Sequence, residues 1–159
     1  MNLRIKRAGS RQEREKAFSI RLRVFVKEQG VPRAIELDSD DTRALHLLAY
    51  CGERAVGTAR VVLKRGAAKI GRMAVLKGYR GKGIGRELLR RAVKAARQKG
   101  AKRIYLHAQV PVIGFYKKLA FGATGHVFME AGIPHRKMFL KERNGRTLAE
   151  RRSRFSPRQ

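Results

Sequence analysis

Between an apolar, strand-like run at 68–75 and a long basic helix the chain reads Gly78-Tyr79-Arg80-Gly81-Lys82-Gly83-Ile84-Gly85. A strand that hands over to a helix through so many glycines, with another strand-like run at 102–109 just after the helix, specifies a strand–helix–strand crossover. Such a crossover places 68–75 and 102–109 parallel, and its hand is right-handed. The helix spans about 83–99. Leu88, Leu89, Ala92, Val93 and Ala96 form its apolar stripe, and Gly100 is placed to end it. The turn before it is where phosphates bind: first-turn amides have no intrahelical acceptor, the dipole puts about half a positive charge there, and glycine lets an anion approach the backbone. Two familiar phosphate loops do not fit. Gly83 is followed by Ile84 where a Walker loop needs Lys, and Leu88 stands where a dinucleotide loop needs glycine. A Gly-rich turn can also serve close packing alone, and the turn by itself leaves both readings open.

The rest of the chain reads as follows. Residues 2–7 alternate as a short strand. Residues 11–28 form a helix, with Ser10 as N-cap, Glu13 at capping-box spacing, and an apolar face of Phe18, Leu22, Phe25 and Val26. Residues 29–43 form a loop holding Glu36, Asp38, Asp40 and Asp41, the one acidic patch of the sequence. Strands at 44–50, 55–63 and 68–75 are separated by CGER and KRGA and make an antiparallel meander. After 102–109, Pro111 opens a short helix, and strands follow at 121–129 and 134–140. The expected domain is 1–140, an α+β three-layer sandwich with a central mixed, mostly antiparallel sheet, one splayed parallel pair, and helices on both faces. Residues 141–159 form a basic tail.

Charge is the outlying quantity. Lys and Arg number 39 against 12 Asp and Glu, giving +27. The 80–103 block holds ten basic residues and Glu87 alone among acids. Such a field attracts polyanions, phosphorylated cofactors and nucleic acid included. No apolar run is long enough for a membrane helix, and the N-terminus lacks the apolar stretch of a secretory signal. The single cysteine, Cys51, cannot form an internal disulfide, so a reducing, cytoplasmic setting is expected. His46, His107, His126 and His135 show no metal-ligand spacing, and no metal is expected. His46 and His107 fall inside strands and read as structural.

The loop Arg80-Gly81-Lys82-Gly83-Ile84-Gly85 fits the pattern [RQ]-x-x-G-x-[GA] and resembles the pyrophosphate loop of the GNAT superfamily of acyl-CoA-dependent N-acyltransferases. Residues 112–121, VIGFYKKLAF, are similar to that family's late F-Y-x-K-L-G-F motif. VFVKEQ at 24–29, Asp41 to Leu48, HAQ at 107–109 and GIPHRKM at 132–138 resemble its small bacterial ElaA-like branch. The resemblance covers about 20–140. It implies a GNAT-like fold and direct transfer of an acetyl group from acetyl-CoA to a primary amine. It implies that the backbone of Met73, Ala74 and Val75 pairs with the pantetheine arm, and that the amides of Arg80, Gly81, Lys82, Gly83, Ile84 and Gly85 hold the pyrophosphate. Arg80, Lys82 and Arg86 are the side-chain candidates there, and Gln109 stands where many members have Asn. The Val75 N–H is implied as oxyanion donor and Tyr116, beside the cofactor, as the acid that protonates the leaving thiolate. On the residues alone, Val112, Phe115, Tyr116 and Leu119 read as a core stripe at helical spacing, and only the resemblance turns Tyr116 into the acid. Glu28, Glu36, Asp38 and Glu130 are candidate bases, with Glu36 the first choice. Glu36, Asp38, Glu130 and His135 are candidate contacts for the acceptor, expected to be a small cationic amine. Ala120 stands where the motif usually has Gly, which matters if that position needs a positive φ.

A second function class stays open: a basic protein bound to nucleic acid or ribosomes on an acyltransferase scaffold. It has +27 in its favour and no nucleic-acid motif. The expected partners are acetyl-CoA and the amine, with no membrane insertion, in a monomer or homodimer.

Overall fold

Ser10 starts the first helix as its spacing requires. Its hydroxyl accepts from the Glu13 amide at 3.1 Å, and the Glu13 carboxylate accepts from the Ser10 amide at 3.3 Å. The structure, a computed structural model, describes residues 1–142. The tail expected over 141–159 lies outside the described residues from 143 onward. Within the expected domain the chain forms two compact units, Met1–Lys102 and a second beginning at Arg103.

The first unit runs β1 (Leu3–Arg7), α1 (Arg11–Arg21), a π-helical segment (Leu22–Glu28), α2 (Arg33–Glu36), a 3-10 turn (Ser39–Thr42), β2 (Leu45–Cys51), β3 (Arg54–Lys64), β4 (Ala67–Val75) and α3 (Ile84–Gln98). Its strands pair antiparallel in sequence order. Residues 56–62 of β3 are all buried, so both faces of that strand are covered. One face meets α3. A Cβ on Gly57 would stand 3.0 Å from Leu88 Cδ1 and 3.3 Å from the Ala74 carbonyl oxygen, so any larger residue there would push on the helix. The other face meets α1, whose Ala17 and Ile20 pack with Val24, Leu48, Tyr50, Ala74 and Leu76.

Two expectations for this unit need correcting. The helix expected over 11–28 is α-helical only to Arg21 and π-helical beyond it. Its buried face is Ala17, Ile20, Arg21 and Val24, while Phe18, Leu22, Phe25 and Val26 are half-buried. The widened turn rotates the face, and a fully buried arginine occupies a position that patterning assigns to solvent. The expected loop at 29–43 also contains α2 and the 3-10 turn. By contrast α3 follows its stripe: Ile84, Leu88, Leu89, Ala92 and Ala96 are buried, with Val93 half-buried.

The second unit runs β5 (Arg103–Gln109), a 3-10 turn (Val110–Val112), α4 (Ile113–Lys117), β6 (Phe121–Glu130) and β7 (Ile133–Leu140). β7 pairs antiparallel with both β5 and β6. Ala131 and Gly132, at φ 52° and 74°, make the two-residue turn between β6 and β7, with both central residues in the left-handed region as a type I′ hairpin needs.

Candidate active site

The Gly-rich turn ends on Gly83, the N-cap of α3, at φ 82°, with Gly81 at 76°. Both conformations are strained for any residue with a Cβ. The first helical bond of α3 is Glu87 N–H to the Gly83 carbonyl at 3.1 Å. The amides of Ile84, Gly85 and Arg86 therefore lie in the first turn without an intrahelical acceptor and point toward its N-terminal end. Lys82 lies over the Tyr79 ring at 5.5 Å, and Arg86 is exposed on the first turn. Arg80 is placed otherwise than a phosphate contact requires. Its Nε donates to the Val75 carbonyl at 2.8 Å and its Nη2 to Glu28 at 2.8 Å. Its guanidinium thus fastens the end of the π-helical segment to the end of β4, and only its backbone belongs to the loop.

β4 reaches Val75 through an irregularity. Thr58 pairs with Ala74 but Arg60 pairs with Gly71, so Arg72 and Met73 together face Ala59. Arg72 takes φ 48°, a left-handed conformation costing roughly 1–2 kcal/mol for a residue with a side chain. The bulge immediately precedes the Met73–Val75 segment.

The Arg72 side chain belongs to a closed ring of alternating charge. Arg21 Nε meets Glu36 at 3.0 Å, Glu36 meets Arg72 Nε at 3.3 Å, and Arg72 Nη2 meets Asp38 at 3.2 Å. Asp38 meets Arg60 Nη1 at 2.7 Å, the same nitrogen meets Asp41 at 3.1 Å, and Asp41 returns to Arg21 Nη1 at 2.7 Å. Three arginines from α1, β3 and β4 face three carboxylates from 36–41, so the ring is formally neutral. The arginines also bind the loop backbone: Arg21 Nη2 and Arg72 Nε donate to the Glu36 carbonyl at 2.8 and 3.1 Å. The arginine hydrogen bonds hold the Asp41 carboxyl down at about 2 against the opposing effect of burial. Burial pushes the Glu36 carboxyl up against the pull of Arg72 and Arg21. The ring corrects the expectation for Glu36. At 3% exposure, with arginine on both sides, it is not open to an acceptor amine or to its protons. Asp38 keeps partial exposure but is tied to Arg60 and Arg72. Glu28 is held by Arg80. Beside Glu28, Arg23, Arg54, Leu76 and Tyr79 line a hollow of about 190 Å³, smaller than the ~300–1,000 Å³ usual for ligand pockets.

In the second unit Tyr116 sits on α4, edge-on to Phe115 at 5.0 Å and to Phe121 at 6.2 Å. Burial pushes its phenol up to about 12, so it carries its proton throughout the neutral range. The alternative core stripe does not form: Val112 and Phe115 are exposed, and Leu119 is half-buried. Ala120, which ends this motif, adopts φ 68°.

The same unit assembles three groups from separate parts of the sequence. His107 Nδ1 lies 3.1 Å from Glu130 Oε1, and His135 Nε2 lies 3.6 Å from Glu130 Oε2. His135 Nδ1 is 2.6 Å from the Ile133 carbonyl. Phe128 packs edge-on against His107 at 4.9 Å and stacks on His135 at 6.0 Å. Glu130 and His135, both expected on the acceptor side, lie next to each other. His107, read from sequence as structural, joins them. Its one signal was its half-exposed register on β5, two residues before Gln109, whose cross-strand partner is His135.

The profile of the Acetyltransferase (GNAT) family matches residues 13–121. A Bacillus subtilis protein described as an uncharacterized N-acetyltransferase, YjcF, is 38% identical over 132 residues, 82% of this chain and 94% of its own. ElaA of Escherichia coli is 30% identical over 124 residues, 74% of this chain and 80% of its own. The crystal structure of ElaA matches with a TM-score of 0.76 over 88% of this chain and 99% of its own. A GNAT acetyltransferase from Elizabethkingia anophelis, solved with acetyl-CoA bound, shares the fold at 19% identity with a TM-score of 0.64, over 87% of this chain and 95% of its own. The matched profile, the identity to YjcF and ElaA, and the shared fold place the chain in the GNAT family of acetyltransferases, on the branch that contains ElaA.

Proposed function

We propose that this acetyltransferase takes acetyl-CoA as donor and a primary amine, small and cationic, as acceptor. The observation that carries the donor is the turn at 81–86: two left-handed glycines, open first-turn amides, and a basic helix behind them. That arrangement suits a pyrophosphate, and the Elizabethkingia protein of the same fold holds acetyl-CoA. The backbone of Met73 to Val75 takes the pantetheine arm, with Gln109 as a further contact, and the Val75 N–H serves the oxyanion. Tyr116 donates to the departing sulfur. A phenol at about 12 lies some 3.5 units above a thiol at ~8.5, so full transfer in the ground state is uphill by about 5 kcal/mol. Its part is a hydrogen bond that strengthens as the C–S bond breaks. For the acceptor, the ring at 36–41 is already neutralised, and Glu130, beside His107 and His135, is a partly exposed carboxylate on the proposed amine side.

The test is thermal. Acetyl-CoA should raise the melting temperature by binding the native state. Gly83→Glu puts a side chain and a negative charge at a φ of 82° in the turn and should remove the shift. A shift unchanged in that variant refutes the loop. A thiol-release screen over polyamines, amino acids, aminoglycosides and basic peptides then identifies the acceptor.

A further inference from the structure

We infer that His107, oriented by Glu130, is the general base that takes the proton from the attacking amine; the inference rests on the transferase reading above. A carboxylate offers only lone pairs, so the His107 nitrogen 3.1 Å from Glu130 Oε1 must be the one that carries hydrogen. The tautomer is therefore Nδ1–H, and the lone pair is on Nε2. A carboxylate that fixes an imidazole in this tautomer, and steadies the imidazolium once it forms, is the arrangement a base needs.

The second histidine sharpens the argument. His135 Nδ1, 2.6 Å from the Ile133 carbonyl, also carries hydrogen. Its Nε2 faces the other Glu130 oxygen at 3.6 Å. Glu130 is thereby held from both sides, and Phe128 packs on both imidazole rings. The other groups on this face are Tyr105 and Gln109 on β5 and Lys137 and Phe139 on β7. Lys137 turns its ammonium onto the Tyr105 and Phe139 rings, 4.6 and 5.0 Å from their centroids. His107 and His135 flank Gln109 along and across the strands, which puts the imidazoles on the face assigned to the cofactor contact.

The protons balance. The neutral amine attacks the thioester carbon, the carbonyl π pair moves to oxygen, and the new C–N bond leaves nitrogen positively charged. His107 Nε2 takes one proton from that nitrogen. The oxyanion re-forms the carbonyl, the C–S pair leaves on sulfur as a thiolate that accepts the Tyr116 hydrogen bond, and a proton from water completes the thiol. Loss of its proton to water resets His107.

His107→Asn tests the assignment, because the Asn amide keeps a donor near the Nδ1 position and has no counterpart to Nε2. Its kcat should fall by about 10²–10⁴-fold, with the acetyl-CoA melting shift unchanged. The acid limb left in the kcat/KM profile should be the one set by protonation of the amine itself. Glu130→Gln should lower kcat less and keep the His107 limb. The melting curve without ligand separates these effects from misfolding. Thiol release by His107→Asn within about threefold of wild type overturns the base alone. No thiol release by wild type with any amine overturns the transferase reading and the base with it.

Discussion

Arg21→Met tests the charged ring where it is most enclosed. Arg21 is 0% exposed and makes four hydrogen bonds, to both Asp41 oxygens, to Glu36 Oε1 and to the Glu36 carbonyl. Methionine fills much of the same space, so the cavity contribution is small and the electrostatic one dominates. Asp41 would keep the 3.1 Å contact to Arg60 and the 2.9 Å bond from the Asp38 amide, and Glu36 the 3.3 Å contact to Arg72. Breaking a buried pair from one side costs about 3–5 kcal/mol, a large fraction of the ~5–15 kcal/mol that holds a domain together. In urea, with a slope of about 2 kcal/mol per molar, the midpoint should drop by about 2 M. The pH dependence gives a second readout. Asp41 titrates at about 2 instead of 3.8, so it contributes stability above pH 3.8 that is lost as pH falls through 2. That contribution is about 2.5 kcal/mol, and it should shrink in the variant. Glu36, shifted up, has the opposite sign: its contribution is full below pH 4.5 and falls as pH rises through its folded value. A loss under about 1 kcal/mol, with an unchanged acid limb, would show that the ring behaves like a surface ion pair and refute the reasoning.

Tyr116→Phe should lower kcat by about 10–100-fold with the acetyl-CoA melting shift retained, because the hydroxyl is needed only as sulfur departs; steady-state rates beside thermal shifts check this. Ala120→Gly should stabilise by about 0.5–1 kcal/mol, since φ 68° is costly for alanine and free for glycine; chemical denaturation measures it.

What could be read from sequence were the features set by local chemistry. The Ser10–Glu13 box, the two hairpin connectors and the α3 stripe each depend on residues a few positions apart, and each formed. The positive φ at Ala120 was legible in the same way, as a departure from a glycine in a motif. The π-helical segment was not, because no residue type marks a turn widened by one residue; its signs are bonds such as Gln29 N–H to the Val24 carbonyl at 3.1 Å. The ring was not legible either. Nothing in the sequence marks Arg21, Arg60 and Arg72 as a set, and only the fold turns them inward onto one loop. Glu36 was misassigned for that reason: an acid cluster in a basic chain looks like a cation site until its arginines are found. The Gly-rich turn before α3 lies within one contiguous stretch, and its place between strand and helix was legible. The His107–Glu130–His135 group comes from three strands, and cross-strand register is not written in composition.

The ring also bears on how fast the molecule comes apart. Its partners are separated by 15 to 36 residues along the chain, and it closes only when α1, the 36–41 loop, β3 and the β4 bulge are all in place. Interactions that require the whole unit contribute little to a transition state in which part of it is unformed, so their energy resides mainly in the unfolding barrier. If the roughly 4 kcal/mol at Arg21 falls entirely on that barrier, its loss speeds unfolding by about a thousandfold while refolding keeps its pace. The bulge at Arg72 is fastened to that same barrier. The segment leading into Met73–Val75 therefore keeps its shape for as long as the ring stays closed, and the ring acts as a clock on the lifetime of the folded unit.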